Sequence, residues 1–378
     1  MSEPNSSDQR LVGVEEEFLL VDAETGAPTP RIASVMPMAT MLVGEHAQEE
    51  LHQAQIEHAT SACNSLDDLR DELIDLRRKF ARAAAENGSL VVVSGSYPGR
   101  MGDAGRLITS KHRYEVMAEA NSILASEQLI CGCHIHVSVP SHERAIAVMN
   151  RIRGWLPYLL ALSANSPFWE DQDTGFASYR TEVWSRWPTS GPPGYFKNYE
   201  EYERLLEQLV QAEIIVDKKM AYWDVRPSEA FPTIEIRVND VLPRVDDVVA
   251  IAGIVRGLVA SYEDAPEREE EYRWELLRAA NWRAARSGLA GALLSPFDGS
   301  TRPAGEAIGQ LLAHIAPALD ERGELEEIEA LTNDILERGN GADLQRTAYA
   351  RRNQISDVIE SVTLDEDGHP RIRSSAYR

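Results

Sequence analysis

Three short segments of the chain alternate apolar residues with ionisable ones, and this alternation constrains the fold more than any other feature of the sequence. The segments are residues 11–22 (LVGVEEEFLLVD), 129–139 (containing CGCHIHV) and 231–240 (FPTIEIRVND). Successive side chains of a β-strand point to opposite faces of its sheet, so each segment predicts a strand with one apolar and one polar face. The chain therefore predicts a sheet with charged groups gathered on one side.

Carboxylates, imidazoles and an arginine occupy the polar faces of these predicted strands. The polar residues are Glu15 and Glu17 in the first strand, His134 and His136 in the second, and Thr233, Glu235, Arg237 and Asn239 in the third. Two like charges on one strand face destabilise a fold unless a cation or an arginine neutralises them. The pattern favours a ligand site, with a solvated edge or a structural ion pair between Glu235 and Arg237 as the alternative interpretations.

Cys131 and Cys133 alternate with the two histidines, so in a regular strand the thiols and the imidazoles point to opposite faces. This geometry disfavours a zinc site that uses both pairs. Free cysteine usually behaves as a small buried hydrophobe, and we predict that both thiols belong to the core.

A fourth segment, residues 50–59, adds two carboxylates. Glu50 and Glu57 are seven positions apart, so an unbroken strand would direct them to opposite faces. They converge only if Glu50 lies at the start of the strand or a β-bulge intervenes. Carboxylate-rich sets with little thiolate suit Mg²⁺ or Mn²⁺, and several such ions on a sheet face could hold a polyphosphate. The chain has neither a Walker-type loop nor a Gly-x-Gly-x-x-Gly motif.

Residues 164–196 are rich in Gly, Pro, Trp and Ser, which predicts a long functional loop without regular structure. Arg180 and Arg186 lie in this loop among aromatic residues. An arginine can bind a carboxylate through two parallel hydrogen bonds, and a loop of this kind can close over a substrate. Further candidate arginines are Arg226, Arg283 and Arg286.

Strands and helices are mixed without strict alternation, which predicts an α+β fold with one central sheet rather than a doubly wound parallel sheet. Helices are predicted over residues 65–86, 110–127, 141–163 and 198–212 and over most of 244–338, whereas residues 28–47 are predicted to be irregular. We predict a disordered tail (1–10), a single domain that carries the site (11–355) and a C-terminal extension (356–378).

The formal net charge of −23 argues against nucleic acid or an anionic membrane as the main partner, since no basic excess is available to displace counterions. No apolar run reaches the roughly 18 residues needed to span a bilayer. The polar N-terminus lacks the apolar segment of a signal peptide, and the three cysteines do not make a disulfide framework. We therefore predict a cytoplasmic protein.

Five motifs resemble those of the carboxylate–amine ligases, also called glutamate–cysteine ligase type 2. They are GVEEEFLLVD, CGCHIHV, ASYRTEVWSRWPTSGPP, DVRPSEAFPTIEIRVND and NWRAARSGL, in this order within residues 11–355. The resemblance implies a glutamine-synthetase-like fold: a curved, mainly antiparallel sheet holds ATP and its metal ions on the concave face, and helices pack on the convex face. One departure is Gly-Ser-Tyr-Pro at Gly95–Pro98, where family members commonly have Gly-Thr-His-Pro.

The resemblance also implies roles for individual residues. Metal binding is implied for Glu15, Glu17, Glu50, Glu57, His134 and Glu235. Nucleotide binding is implied for His136, Arg226 and Arg237, and binding of a substrate carboxylate for Arg180 and Arg186. The candidate catalytic residues are Arg237, Glu57 and Arg180.

The reaction implied by the resemblance joins the γ-carboxylate of glutamate to an amine, with cysteine as the first expectation, at the cost of ATP and through an acyl phosphate. The implied cofactors are ATP and Mg²⁺ or Mn²⁺, the partners are small molecules, and the assembly could be a homodimer. The alternatives are a ligase with another amine acceptor, a zinc-dependent hydrolase that uses His134, His136 and Glu235, and a binding protein without activity.

Overall fold

Residues 10–263, 272–295 and 298–371 are described by a computed structural model of the chain. The strands are β1 (Val12–Asp22), β2 (Ala47–Glu49), β3 (Gln55–Ala59), β4 (Ser89–Val92), β5 (Gly132–Ser138), β6 (Phe168–Trp169), β7 (Gln172–Asp173), β8 (Val225–Pro227), β9 (Thr233–Asp240), β10 (Ala292–Leu294) and β11 (Thr301–Pro303). The helices are α1 (Ile32–Val43), α2 (Leu66–Ala85), α3 (His112–Asn121), α4 (Ile123–Ser126), α5 (His142–Ile152), α6 (Leu156–Ser163), α7 (Tyr179–Trp184), α8 (Tyr199–Gln211), α9 (Val245–Glu263), α10 (Trp274–Ser287), α11 (Ala304–Asp320), α12 (Leu325–Arg338), α13 (Gly341–Ala350) and α14 (Ile355–Ser361).

Seven strands form one sheet, in the order β2-β3-β1-β5-β9-β8, with β4 paired to the C-terminal end of β1. All of these pairs are antiparallel, which confirms the predicted α+β class with one central sheet. Strand β1 is central, because it pairs with β3, β4 and β5. Within the described ranges, no helix is long and apolar enough to cross a bilayer.

One face of the sheet is buried against helices α5, α6 and α9. Cys133, Ile135 and Ile236 lie on this face and are fully buried. Cys131 is also fully buried, in a second core cluster, so the prediction that both thiols of the CGCHIHV motif belong to the core is confirmed. The helices leave the opposite face of β1, β5 and β9 for polar side chains.

Helix α2 forms where the sequence predicts it. The Ser65 hydroxyl accepts a hydrogen bond from the backbone N–H of Asp68 (3.1 Å) and so caps the first turn. The chain leaves the helix through Gly88, whose φ of 67° lies in the left-handed region that glycine adopts at little cost. The buried apolar face contains Leu66, Leu69, Leu73, Leu76 and Phe80.

Helix α2 also carries an arginine that is buried against β1. Arg77 is fully buried and donates from Nε to Glu16 Oε2 (2.9 Å), with a second contact from Nη2 to Oε1. It also donates to the backbone carbonyls of Leu242 (2.8 Å) and Pro243 (2.7 Å). Burial alone would raise the pKa of Glu16, but Arg77 and the neighbouring His58 lower it to about 2. The carboxylate of Glu16 is therefore ionised inside the core.

The prediction that residues 28–47 are irregular is wrong, because α1 occupies most of them. Its buried residues recur with helical spacing and are Ile32, Val35, Ala39 and Val43. Pro37 lies inside the helix and removes one backbone donor. Burial of the apolar face outweighs this cost.

The segment 164–196 is only partly the irregular loop that the composition predicts. It contains the short hairpin β6–β7 and the six-residue helix α7. Ser178 caps α7 by accepting a hydrogen bond from the backbone N–H of Thr181. Arg180 is consequently held on a helix rather than on a loop.

The residues after α14 complete the sheet edge at β4. The backbone N–H of Val93 donates to Val362 O (2.8 Å), and the N–H of Leu364 donates to Val91 O (2.9 Å). Val362 and Leu364 are buried in the same core cluster as β4. Residues 355–364 therefore pack on the sheet, whereas the predicted domain bounds stay a prediction. Of the predicted N-terminal tail, only Arg10 lies within the described residues. Residues 372–378 of the predicted extension lie outside them.

Replacing Leu364 with alanine is expected to lower the free energy of unfolding by about 2–3 kcal/mol, because the change leaves a cavity beside β4. Urea denaturation of the full-length variant measures this loss. Leu276 on α10 is 50% exposed, and Leu276→Ala is a matched control expected to change stability by less than about 0.5 kcal/mol. Equal effects of the two changes would contradict the packing of the C-terminal residues.

Candidate active site

The sheet register brings the predicted polar faces together. Glu15 on β1 lies directly opposite His134 on β5, and His136 on β5 lies opposite Glu235 on β9. Directly opposed residues of an antiparallel pair share a face, so these four side chains lie on one surface.

Glu15 links the two histidines. Its Oε2 lies 3.1 Å from His134 Nδ1 and its Oε1 lies 3.3 Å from His136 Nε2. Burial alone would raise the pKa of Glu15, but the hydrogen bonds from both histidines hold it below its ordinary value. Burial and the neighbouring Arg237 lower the pKa of His134, whereas Glu15 and Glu235 raise that of His136 in spite of burial.

Glu15, His136 and Glu235 each offer a ligand atom within 4.8 Å of the other two, an arrangement that could hold a metal ion. The expected assignment was different, with His134 as the ligand and His136 at the nucleotide. His134 Nε2 has no hydrogen-bond partner among the described residues and lies 3.7 Å from Glu17 Oε1. Both histidines therefore remain candidates.

Glu17, Glu50 and Glu57 form a second carboxylate group. The strand predicted over 50–59 covers only Gln55–Ala59, because β2 and β3 form an antiparallel pair and Glu50 immediately follows β2. Glu57 on β3 lies opposite Glu17 on β1. Because the chain reverses between β2 and β3, the carboxylates of Glu50 and Glu57 can approach each other without a bulge.

Among the described residues, no arginine is hydrogen-bonded or ion-paired to these three carboxylates. Burial raises the pKa of each, and in Glu57 the charges of Glu15, Glu50 and Glu17 raise it further. Glu17 Oε2 accepts a hydrogen bond from the backbone N–H of Gly132 (2.6 Å). A cluster of partly buried carboxylates with so few positive partners fits a hard divalent cation such as Mg²⁺ or Mn²⁺.

Two arginines neutralise Glu235. Arg226 donates from Nε to Glu235 Oε2 (2.7 Å), and Arg237 donates from Nη1 to Oε1. Burial would raise the pKa of Glu235, but Arg226 and Arg237 hold it well below its ordinary value. Both candidate nucleotide-binding arginines thus lie at the same carboxylate.

A β-bulge in β9 changes the predicted polar face. Two residues, Arg237 and Val238, stand opposite the single residue His134 of β5. Beyond the bulge the alternation is shifted by one position. Asn239 is consequently paired with Cys133 on the core face, and the prediction that it shares the polar face is wrong.

The two arginines predicted to bind a substrate carboxylate line different pockets. Arg180 is 3% exposed and lines a cavity of about 60 Å³ beside the sheet. Arg186 donates to Glu127 Oε2 (2.8 Å) and lines a different surface pocket. Arg180 lies in the first turn of α7 whereas Arg186 follows the end of this helix, and of the two only Arg180 lines the cavity beside the polar face. Arg283 and Arg286 donate to backbone carbonyls and do not line this cavity.

The cavity has a charged side and an aromatic side. Its charged lining includes Glu17, Glu50, His134, Arg180 and Arg237. Its aromatic lining is Tyr114, Trp184, Trp187 and Tyr222. The sequence predicts the helix that contains Tyr114, but helical spacing alone does not show that this tyrosine faces the sheet, and we found no signal for Tyr222.

Tyr97, in the Gly-Ser-Tyr-Pro departure, is part of the core. It is 5% exposed, and its hydroxyl donates to Gly26 O (2.9 Å). Tyr97 does not line the cavity, so this tyrosine takes a packing position in the described structure.

Asp224 is a buried acid close to the cavity. Its Oδ2 accepts a hydrogen bond from Asn281 Nδ2 (2.6 Å). Burial raises its pKa to about 7, although Arg180, Asn281 and Arg237 act in the opposite direction. The folded state therefore favours the protonated form over a wide pH range.

Asp224→Asn is expected to be more stable than the wild type at pH 8, by on the order of 3 kcal/mol, and equal to it near pH 4. The pKa of Asp224 is higher in the folded state than in the unfolded state. As pH rises from the unfolded-state pKa to about 7, the unfolded state therefore loses its proton first, and the wild type loses stability that the neutral amide retains. Denaturant titrations at several pH values measure this difference. Asp217→Asn is the matched control with the opposite trend, since Arg113 lowers the pKa of Asp217 in spite of burial. A difference for Asp224→Asn that does not vary with pH would contradict the prediction.

Comparison with known proteins identifies the family. A family model described as glutamate-cysteine ligase family 2 (GCS2) matches residues 11–365. The chain belongs to glutamate-cysteine ligase family 2. The resemblance inferred from the five sequence motifs is thereby confirmed, and family membership indicates a ligase with small-molecule substrates.

Relatives of this family 2 member carry matching names. Two are named "Putative glutamate--cysteine ligase 2-1": one from Nocardia farcinica, 41% identical over 93% of this chain and 92% of its own, and one from Streptomyces avermitilis, 40% identical over 95% and 100%.

Solved structures show that this family 2 protein shares the glutamine-synthetase-like ligase fold. A glutamate–cysteine ligase from Francisella tularensis in complex with AMP has a TM-score of 0.68 at 14% identity, covering 94% of this chain and 88% of that one. The ligase PafA, in complex with the ubiquitin-like protein Pup, has a TM-score of 0.54 at 12% identity, covering 98% and 75%. At these identities the likeness concerns the fold.

Proposed function

We propose that this protein joins the γ-carboxylate of glutamate to an amine in an ATP-dependent, ADP-forming reaction. The observation that carries the proposal is the convergence of two carboxylate groups, two histidines and three arginines on one sheet face beside a cavity. Two anionic substrates repel each other unless such a surface, with its cations, neutralises them. The AMP bound to the Francisella relative supports ATP as the nucleotide.

The carboxylate groups would hold Mg²⁺ or Mn²⁺. Glu15, His136 and Glu235 would bind one ion, and Glu17, Glu50 and Glu57 another, with His134 between the two groups. When bound, these ions neutralise the phosphate oxygens of the nucleotide.

In the first proposed step, a γ-carboxylate oxygen of glutamate attacks the γ-phosphorus of ATP, and the bond from that phosphorus to the β–γ bridging oxygen breaks. This step releases ADP and leaves an acyl phosphate. Arg237 would stabilise the charge on the equatorial oxygens of the transferred phosphoryl group. Arg180 would bind a carboxylate of the amino-acid substrate, since its Nε is buried without a partner among the described residues.

In the second proposed step, the amine nitrogen attacks the acyl carbon, an amide bond forms, inorganic phosphate leaves and the nitrogen loses a proton. Glu57, across the ladder from Glu17, is the candidate acceptor of that proton. An acyl phosphate hydrolyses readily in water, so the buried position of the cavity protects it.

Cysteine is the acceptor that we propose first, because the family description and the names of the relatives specify it. The product would then be γ-glutamylcysteine, a precursor in glutathione biosynthesis, and the alternative is another small amine. A cytoplasmic location and a homodimer stay predictions.

The test uses the purified full-length protein with ATP, Mg²⁺, L-glutamate and a panel of amines. ADP release is expected to depend on glutamate, and mass spectrometry identifies the amide formed. Hydroxylamine, a small nucleophile, is expected to trap the acyl phosphate as a hydroxamate. EDTA, omission of glutamate and replacement of glutamate by aspartate are the controls. Tightly bound zinc at one ion per chain together with no ATP-dependent activity would favour a hydrolase instead.

A further inference from the structure

We propose that Asp240 is a positioning residue whose buried carboxylate orients the guanidinium of Arg180 toward the carboxylate of the amino-acid substrate. The inference rests on the proposed function, in which Arg180 binds that carboxylate. It adds a residue that strand alternation alone would assign to the core.

The β-bulge brings Asp240 to the polar side of the sheet. Without the extra residue in β9, alternation from Glu235 would direct Asn239 to this side and Asp240 to the core. With the bulge, Asp240 is paired with Gly132 of β5, whose neighbours on this face are the candidate ligands. Gly132 carries no Cβ, and an added Cβ would collide with the guanidinium of Arg180. The absence of a Cβ at Gly132 therefore leaves room for the guanidinium of Arg180, and Asp240 lies beside it.

Hydrogen bonds from residues other than Arg180 hold the carboxylate of Asp240 in place. It is fully buried, and its Oδ2 accepts hydrogen bonds from the backbone N–H of Asn165 (2.8 Å) and the hydroxyl of Ser166 (2.7 Å). Its Oδ1 accepts a hydrogen bond from the hydroxyl of Ser178 (2.8 Å). Three donors from one segment of chain hold the acid in one orientation.

The same hydroxyls hold the start of helix α7. Ser166 Oγ, which donates to Asp240, accepts a hydrogen bond from the backbone N–H of Arg180 (3.0 Å). Ser178, which also donates to Asp240, is the N-cap of α7. Asp240 therefore helps to fix the position of the Arg180 backbone at the start of α7. It also places a negative charge near the Arg180 guanidinium.

Asp240 attracts the guanidinium of Arg180 electrostatically but does not accept a hydrogen bond from it. Nη1 lies 3.9 Å from Asp240 Oδ1, beyond hydrogen-bond distance. The guanidinium makes only long hydrogen bonds, to the carbonyls of Arg237 (3.3 Å) and Val238 (3.4 Å) at the bulge. The ring of Trp184 lies 5.8 Å from its central carbon. Nε has no partner among the described residues and Arg180 lines the cavity, so donor capacity remains for a ligand.

The experiment compares Asp240→Asn with the wild type in the full-length protein, with L-glutamate, ATP and hydroxylamine. The amide keeps the shape of the carboxylate and removes its charge. We expect KM for glutamate to rise about tenfold, while KM for ATP changes by less than about twofold. A structural role would change both constants or only the amount of active protein. Asp247→Asn removes another buried carboxylate, paired with Arg338 and remote from the cavity, and is expected to leave KM for glutamate unchanged.

A double-mutant cycle tests whether Asp240 acts through Arg180. In an Arg180→Ala background, adding Asp240→Asn is expected to change KM for glutamate by less than about twofold, because the group that it orients is absent. Additive effects of the two changes would overturn the inference. So would an unchanged KM for glutamate in Asp240→Asn.

A second variant covers the case in which Asp240→Asn does not fold. Ser166→Ala removes one donor to Asp240 and one acceptor for the Arg180 backbone, and is expected to raise KM for glutamate about threefold. No change in this constant would count against the inference. Failure of the proposed function is distinguishable, because the wild type would then form no glutamate hydroxamate at all.

Discussion

Replacing Glu235 with glutamine is expected to reduce glutamate-dependent ADP release by about a thousandfold or more. Glu235 is 2% exposed, lies in the group that could bind a metal ion, and is the shared partner of Arg226 and Arg237. The amide is nearly isosteric but carries no charge. It would weaken cation binding and leave both arginines less constrained, so phosphoryl transfer would lose its main source of charge stabilisation.

The measurement is a coupled ADP assay with the melting temperature recorded in parallel. Glu229 lies just before β9, is exposed, and provides the matched control: Glu229→Gln is expected to retain wild-type turnover. Glu17→Gln is expected to behave as Glu235→Gln does. Turnover within about tenfold of the wild type in a folded Glu235→Gln protein would rule out the assigned site.

Arg77→Met is expected to lower the free energy of unfolding by about 4–5 kcal/mol. The change removes the arginine that is bonded to the buried carboxylate of Glu16 and leaves two backbone carbonyls, those of Leu242 and Pro243, without this donor. The folded pKa of Glu16 is lowered to about 2, so the pair stabilises the fold fully above the unfolded pKa and progressively less as pH falls toward 2.

Urea denaturation at pH 7 and pH 3 would measure both effects. The neighbouring Arg78 is the matched control, since its side chain is 54% exposed, and Arg78→Met is expected to change stability by less than about 0.5 kcal/mol. The double change Glu16→Gln with Arg77→Met is expected to be less destabilising than Arg77→Met alone, because no unpaired charge is then buried. A greater loss in the double variant would contradict the buried-charge explanation.

Local patterns predicted much of the site, because strand alternation depends only on neighbouring residues. Residues 231–240 indicate that Glu235 and Arg237 share a face, and the structure agrees. The same pattern fails at Asn239, because the bulge arises from the register between β9 and β5, two strands far apart in sequence. The register between two strands cannot be predicted from one strand alone. The pattern in residues 231–240 therefore does not show that Asp240 lies on the polar side of the sheet.

Chain reversals limited the predictions in a similar way. The spacing of Glu50 and Glu57 would direct them to opposite faces of a continuous strand, but the chain reverses between them to form the β2–β3 pair. Arg180 and Arg186 lie in one polar, aromatic segment of the sequence, yet Arg180 is on α7 and Arg186 follows it, and the two line different pockets. In each case the residue type was informative, whereas its direction depended on contacts that are distant along the chain.

The central position of β1 has a consequence for synthesis on the ribosome. Strand β1 pairs with β3, β4 and β5, and among the described residues the other edge of β4 pairs with residues 362–364. A nascent chain therefore displays an open strand edge until residues 362–364 have been translated, and β9, with Glu235 and Arg237, joins the sheet after β1 and β5. Such non-local pairing slows folding and exposes unpaired strands to aggregation. Pairing of residues 362–364 with β4 would thus be a late step in closing this edge of the sheet.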